Sequence, residues 1–178
     1  TSIEHAYNQL TEALEKLDLH NINIDFSAEH MIDDNFETIL VNGEIIPLKN
    51  EYLLVEMSYL QPSINFDVAI TKISEQQFYP ILAHPERYVY FHNRTNVYKS
   101  LKNQGVLFQM NLLSLTSDVY GKAVQKCAYK LLEDGMIDFI ASDVHNVRQL
   151  SAIKEVKISN SMLNRILPVI ENTIRVFY

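Results

Sequence analysis

Apolar residues recur along the chain at two spacings, which together predict alternating strands and helices. Continuous or alternating apolar runs typical of strands occupy 22–26, 52–57, 80–84, 106–111 and 137–141. Apolar residues three and four positions apart predict helices over 2–17, 36–40, 66–74, 96–102, 121–133 and 161–177, the last interrupted near Pro168. This alternation indicates a single α/β domain, residues 1–178, in which helices cover a parallel sheet.

Polar residues of the types that bind metals follow several of the apolar runs. They are Glu29, Glu56, His84, Asp143 and His145. In parallel α/β folds the chemistry collects at the carboxyl ends of the strands. Five strands are too few to close a barrel of seven or eight, so we expect an incomplete (β/α) barrel whose N-terminal part lies outside this sequence.

Histidine and carboxylate ligands from several strand ends are typical of a hydrolytic metal site. Asp143 and His145 are two residues apart, so in an extended segment both side chains point the same way. His84 is followed by Pro85, which disfavours helix at the histidine. One such residue alone is more often an ordinary polar residue at a strand end, but five at matching positions favour a shared site.

The composition of the chain argues against several classes of function. The formal net charge of −7 argues against a nucleic-acid-binding surface. No apolar run is long enough to cross a membrane, and no signal peptide is visible. The single cysteine, Cys127, fits a reducing cytoplasm. It lies in an amphipathic helical run rather than a phosphate-binding loop, so cysteine chemistry is not expected.

Two segments carry a family resemblance. The sequence His-Pro-Glu-Arg at 84–87, after the apolar run 80–83, and the sequence Ser-Asp-Val-His-Asn at 142–146 resemble the bacterial protein-tyrosine phosphatases of the polymerase-and-histidinol-phosphatase (PHP) class. Those enzymes are encoded with capsular and exopolysaccharide genes. Residues 27–29 and 54–56 match the two glutamate-bearing strand ends of the family more loosely. Histidinol-phosphate phosphatases share the metal ligands but not this context of residues 84–87.

The resemblance implies a distorted (β/α)7 TIM-like barrel that binds up to three divalent ions. Manganese is the first expectation for the ion, with iron or zinc as alternatives. Carried over by position, the ligands are Glu29, Glu56, His84, Asp143 and His145. Arg87 resembles an arginine that holds the substrate phosphate, a role that suits its bidentate guanidinium. Hydrolysis would then proceed without a phosphoenzyme.

The sequence departs from the family pattern in two respects. The N-terminal His-x-His strand, the Asp-Asp-Gly segment and a further histidine after the second strand are not in this sequence, which implies missing N-terminal βα units and ligands. Many members also carry an arginine five residues after the last histidine, where this chain has Leu150. Arg148 is expected either to substitute for that arginine or to be a surface residue that opens a helix.

The leading hypothesis is therefore a cytoplasmic, metal-dependent protein-tyrosine phosphatase. Its expected partner is a bacterial tyrosine kinase that regulates polysaccharide synthesis, with no nucleic acid and no membrane insertion. One alternative is a PHP phosphatase for small molecules such as histidinol phosphate. Another is a non-catalytic metal-binding regulatory module that has lost part of its site. The sequence does not determine the oligomeric state, and a homo-oligomer is one of the alternatives.

Overall fold

A computed structural model describes residues 2–178, in which five parallel strands form one sheet. The strands are β1 (Glu29–Met31), β2 (Tyr52–Glu56), β3 (Tyr79–Ala83), β4 (Leu107–Asn111) and β5 (Phe139–Ala141). Their spatial order is the order of the sequence, β1-β2-β3-β4-β5. Each connection therefore moves one position across the sheet, and all carboxyl ends meet at one edge.

Seven α-helices are described. They are α1 (Ser2–Lys16), α2 (Phe36–Val41), α3 (Phe66–Glu75), α4 (Thr95–Asn103), α5 (Gly121–Glu133), α6 (Val147–Lys154) and α7 (Asn160–Phe177). Three 3-10 turns, at Pro85–Arg87, Val89–Phe91 and Leu112–Leu115, follow the ends of β3 and β4. None of the helices within residues 2–178 combines the length and the apolar content needed to cross a membrane.

The two faces of the sheet are covered to different degrees. One face, which we call the helix face, presents Leu53, Val55, Leu82, Phe108 and Met110 to a continuous buried core shared with the helices. The other, which we call the inner face, is only partly covered. Leu54 and Gln109 on this face are half-buried, although Ile81 of the central strand is fully buried.

The predicted first strand is wrong. Residues 22–26 pack beside α1 instead of pairing with a strand: the ring centroids of Tyr7 and Phe26 are 4.9 Å apart, and the Tyr7 hydroxyl donates to the carbonyl of Ile24. The first strand is β1, which pairs Glu29 with Leu54. Glu29 therefore begins a strand and does not end one.

The predicted break near Pro168 is also wrong, because α7 continues through this residue. A proline inside a helix removes one backbone hydrogen bond. Met162 and Ile166 are buried on the same helix, and α7 contacts β5. We infer that this packing holds the helix together across the missing bond.

The parallel α/β sheet is confirmed, whereas a closed barrel is not formed by residues 2–178. Within this range β1 and β5 are the open edges of a five-stranded sheet.

The helix face should dominate stability. Ile73 on α3 is fully buried in the core, whereas Val68 on the same helix is 52% exposed. Ile73→Ala should lower the free energy of unfolding by about 2–5 kcal/mol, because it removes buried methyl groups and leaves a cavity. Val68→Ala should change it by less than about 0.5 kcal/mol. Urea unfolding followed by circular dichroism measures both; equal losses would contradict this assignment of the core.

Candidate active site

Three side chains of the metal-ligand type converge at the carboxyl edge of the sheet. Glu29, Glu56 and His84 come from three neighbouring strands or the residue directly after one, and one ligand atom of each lies within 4.8 Å of the others. The Nε2 atom of His84 is 3.0 Å from Oε1 of Glu29 and 3.6 Å from Oε2 of Glu56. Glu29 lies at the start of β1, but its side chain is on the same inner face as that of Glu56. It can therefore join the cluster.

This cluster fits a divalent cation. Burial, followed by the negative charge of Glu29, raises the pKa of Glu56 above its ordinary value. A bound cation would offset that repulsion. One imidazole nitrogen and two carboxylates form the mixed nitrogen and oxygen donor set that zinc, manganese or iron accepts.

His84 and Asp143 share an unusual backbone conformation. Their φ angles are +37° and +50°, in the left-handed region that residues other than glycine rarely adopt. Such conformations cost about 1–3 kcal/mol each and concentrate at functional sites. His84 directly follows β3, and Asp143 lies two residues after β5. At both residues the left-handed conformation turns the chain out of the strand direction.

Arg87 and Asp143 form the second part of the site. Nη1 of Arg87 donates to Oδ2 of Asp143 over 3.0 Å, and the buried Asn111 donates to the same oxygen over 2.6 Å. The other oxygen, Oδ1, lies 3.3 Å from Nδ1 of His145. Asp143 is thus held beside the three-residue cluster by groups that come from the ends of β3 and β4.

Two tyrosine rings enclose the guanidinium of Arg87. Its central carbon is 4.6 Å from the ring centre of Tyr59 and 4.4 Å from that of Tyr120, distances at which cation–π attraction operates. The Tyr59 hydroxyl also lies 3.1 Å from Nε2 of His84. Burial raises the pKa of both phenols, so both are neutral at physiological pH.

Except for the buried Asn111, these groups border one cleft of about 260 Å³. Its lining comprises Glu29, Glu56, Tyr59, His84, Arg87, Tyr120, Asp143, His145 and Gln149. Larger hollows occur elsewhere on the protein, but this one gathers the metal-type ligands and Arg87 in one place.

The remaining residues considered from the sequence, His145, Arg148 and Cys127, lie in different surroundings. His145 lines the cleft, but its side chain is 71% exposed and it stands outside the three-residue cluster. Arg148 is exposed in the first turn of α6 and is not among the residues that line the cleft. The ligand role of His145 and the phosphate role of Arg148 stay predictions. Cys127 is buried on α5 beside the Tyr98 hydroxyl, and burial raises the pKa of its thiol to about 11.

Sequence reasoning missed several residues of this site. Tyr59 and Tyr120 lie in connecting segments, where aromatic residues carry no signal of function. Asn111 carried a signal, because it is the polar residue that ends the apolar run 106–111, as His84 ends another. Glu86 belongs to the recognised segment 84–87, but its complete burial depends on contacts with the end of β4.

Comparison with known proteins identifies a family whose sequence profile matches most of this chain. The sequence profile of the family described as "Capsular polysaccharide synthesis, CpsB/CapC" matches residues 1–163. The CapC protein of Staphylococcus aureus is 28% identical over 127 residues, which are 71% of this chain and 49% of that protein. Tyrosine-protein phosphatase YwqE of Bacillus subtilis is 26% identical over 156 residues, covering 83% of this chain and 58% of YwqE.

Tyrosine-protein phosphatase CpsB of Streptococcus agalactiae is 27% identical over 169 residues, and the match covers 82% of this chain and 68% of CpsB. The chain thus spans about half to two thirds of the length of these relatives. A solved structure from a study of YwqE from Bacillus subtilis and CpsB from Streptococcus pneumoniae, described there as metal-dependent tyrosine phosphatases, matches with a TM-score of 0.73. At 23% identity over 96% of this chain and 73% of that chain, this match establishes the fold.

The cluster predicts a measurable metal affinity. His84→Ala and Glu56→Gln should each weaken Mn²⁺ binding by at least about tenfold, because each removes a donor that the other two cannot replace. Isothermal titration of the full-length protein with Mn²⁺ measures this, with the exposed Glu75→Gln as control for loss of one carboxylate. Unchanged affinity in both cluster variants would show that the ion binds elsewhere.

Proposed function

This chain belongs to the CpsB/CapC family of capsular polysaccharide synthesis, and we propose that it forms the metal-binding part of a protein-tyrosine phosphatase. The observation that carries the proposal is the juxtaposition of a carboxylate–histidine cluster with an arginine in one cleft. Both features suit phosphate-ester hydrolysis, since charge develops on the phosphoryl oxygens while the ester bond breaks. The names of YwqE and CpsB support phosphotyrosine as the substrate.

Glu29, Glu56 and His84 would hold a first divalent ion, with manganese proposed ahead of iron or zinc. Asp143 and His145 would add ligands for further ions, up to three in all. Ions bound there supply Lewis acidity toward the phosphoryl group and lower the pKa of the attacking water.

Arg87 would bind the phosphate oxygens. Within residues 2–178, the Arg87 guanidinium donates one hydrogen bond to another side chain, from Nη1 to Asp143. Most of the five N–H donors of arginine therefore remain for a phosphate. The rings of Tyr59 and Tyr120 both contact the guanidinium, so its orientation is restricted before a substrate arrives.

We further propose that this sheet is part of a distorted (β/α)7 barrel of the PHP type. The half-buried inner face and the open edges at β1 and β5 support additional βα units that pack against them. The partial coverage of the relatives agrees with this. Activity would then be a property of the complete barrel, and the assays below use the full-length protein.

The physiological substrate proposed is a phosphotyrosine-bearing bacterial tyrosine kinase that regulates capsular or exopolysaccharide synthesis, with the enzyme in the cytoplasm. The family description supports the polysaccharide context. Comparing hydrolysis of a phosphotyrosyl peptide with that of histidinol phosphate tests this assignment. A preference for the small phosphoester would favour the small-molecule alternative, and no turnover of either by the metal-loaded protein would favour a regulatory module.

The mechanism should depend on metal and not on the thiol. A strong chelator should abolish hydrolysis of a phosphotyrosyl peptide, and added Mn²⁺ should restore it. Cys127→Ser should keep activity within about twofold, because the thiol is buried on a helix outside the cleft and its raised pKa keeps it protonated. A large loss of turnover in a Cys127→Ser protein with unchanged circular dichroism would point to a cysteine nucleophile instead.

Replacing Arg87 should separate phosphate binding from metal binding. Arg87→Ala should lower kcat/KM by about 10- to 100-fold, the worth of a charge-assisted hydrogen bond of roughly 1.5–3 kcal/mol. Arg87→Lys should also be impaired, because lysine keeps the charge but loses the bidentate geometry.

Metal content and inhibition by inorganic phosphate provide the matching controls. Metal content should be unchanged in Arg87→Ala, while phosphate should inhibit it less than the parent. Arg94→Ala, at an exposed arginine outside the cleft, should behave like the parent protein. Equal phosphate inhibition of Arg87→Ala and the parent would rule out phosphate binding by Arg87.

A further inference from the structure

A groove of opposite charge to the rest of the protein lies along α5, the helix that begins directly after Tyr120 of the candidate active site. It has a volume of about 750 Å³ and runs between α5 and residues 92–95. Lys122, Lys126 and Lys130 line it from α5, and Glu133 is the acidic residue among the lining positions. The chain as a whole carries a net charge of −7, so this concentration of positive charge runs against its overall composition.

The three lysines are unfavourable for the helix that bears them. They are spaced four residues apart, so they stand above one another on one face, where like charges at this spacing cost about 0.2–0.5 kcal/mol per pair. Lys122 is the second residue of α5, near the positive end of the helix dipole.

Partners within the chain offset little of this cost. Lys130 pairs with Asp134 over 2.6 Å, whereas Lys122 and Lys126 make no ion pair with any residue in 2–178. The charges of Lys122 and Lys126 are therefore available to a partner outside the described chain.

Both walls of the groove contact the segment that carries Arg87. On one side, α5 begins directly after Tyr120, whose ring lies against the Arg87 guanidinium. On the other side, Nε2 of His92 donates to the carbonyl oxygen of Glu86 over 2.7 Å. The groove thus leads away from the cleft along α5.

The spacing of the lysines matches a polypeptide. At a rise of 1.5 Å per residue, Lys122 and Lys130 are separated by about 12 Å along the helix axis. An extended peptide covers about 12 Å with three to four residues. A chain with its phosphotyrosine in the cleft that continued along α5 would pass its flanking side chains by the lysines.

We propose that this groove binds an acidic stretch of polypeptide adjacent to the phosphotyrosine, and this inference rests on the proposed phosphatase function. The groove would select substrates whose glutamate, aspartate or further phosphorylated residues lie close in sequence to the phosphotyrosine that is hydrolysed. A long nucleic acid is disfavoured because the remaining surface repels a polyanion.

Direct binding tests the proposal without depending on turnover. Fluorescence anisotropy of full-length, metal-loaded protein would use peptides with a phosphonomethyl-phenylalanine in place of phosphotyrosine. One peptide carries four glutamates on the N-terminal side, a second carries them on the C-terminal side, and a third has glutamines throughout. One acidic peptide should bind more tightly than the neutral peptide, and raising NaCl from about 50 to about 500 mM should remove the advantage.

The variant Lys122→Glu/Lys126→Glu should weaken binding of that acidic peptide by about 5- to 30-fold and leave the neutral peptide unchanged. The control Lys154→Glu/Lys157→Glu makes the same change in net charge at exposed residues outside the groove and should have no such effect. If the glutamate variant loses its helical circular dichroism, Lys122→Gln/Lys126→Gln replaces it and should show a smaller loss in the same direction.

A small aryl phosphate separates this inference from the function on which it rests. Hydrolysis of para-nitrophenyl phosphate should be equal in the groove variant and the parent. If aryl phosphate is hydrolysed but acidic flanks give no advantage, or both double variants weaken binding equally, the groove proposal is overturned and the phosphatase proposal stands. If the acidic peptide binds through the lysines but no phosphoester is hydrolysed, the groove stands and the phosphatase proposal fails.

Discussion

A fully buried carboxylate, that of Glu86, ties together the strand ends on which the candidate site is built. Its Oε1 accepts hydrogen bonds from the backbone N–H of Asn111 over 3.0 Å and from the Ser114 hydroxyl over 2.6 Å. Burial raises the pKa of Glu86, and these two hydrogen bonds act in the opposite direction. Because a buried polar group without partners costs about 1–3 kcal/mol, the two donors and the carboxylate fix one another's positions.

The consequences of this anchor extend in two directions. Along the chain, Glu86 stands between His84 and Arg87, so fixing it fixes the turn that presents both side chains. Across the sheet, it holds the end of β4, where the Asn111 side chain donates to Asp143. The ends of β3 and β4 and the segment after β5 are thus linked by hydrogen bonds between polar groups, although Oε2 of Glu86 and Oδ1 of Asn111 have no hydrogen-bond partner within residues 2–178.

The sequence predicts those parts of the fold that depend on local pattern. The strands around Val55, Leu82 and Phe108 are continuous apolar runs, and the structure has β2, β3 and β4 there within two residues. The run 22–26 has an equally good local pattern, but its Phe26 ring packs against Tyr7 of α1. Pairing partners, which pattern does not encode, decided that β1 would begin at Glu29 instead.

The same limit applies to the site. Glu56 and His84 could be proposed because they directly end apolar runs, so strand direction alone brings them to one edge. The enclosure of Arg87 by Tyr59 and Tyr120 joins segments 28 and 33 residues away in sequence, and no local periodicity reports such a contact. Residues that bear charge at strand ends are therefore predictable, while those that orient them are found only in three dimensions.

The inner face of the sheet shows how stability and chemistry are separated along the strands. At the amino end of this face, Tyr52 packs against Tyr79, Phe139 and Phe177, with ring centroids 5.4–6.1 Å apart. Nearer the carboxyl end of the same face stand Glu56, Asn111 and, from the start of the short strand β1, Glu29. Since parallel strands gather like ends together, an aromatic layer that stabilises three strands and α7 can lie beneath charged groups without contacting them. Tyr52 and Glu56 lie at opposite ends of β2, so the aromatic packing that holds this strand is separate from the repulsion between Glu56 and Glu29.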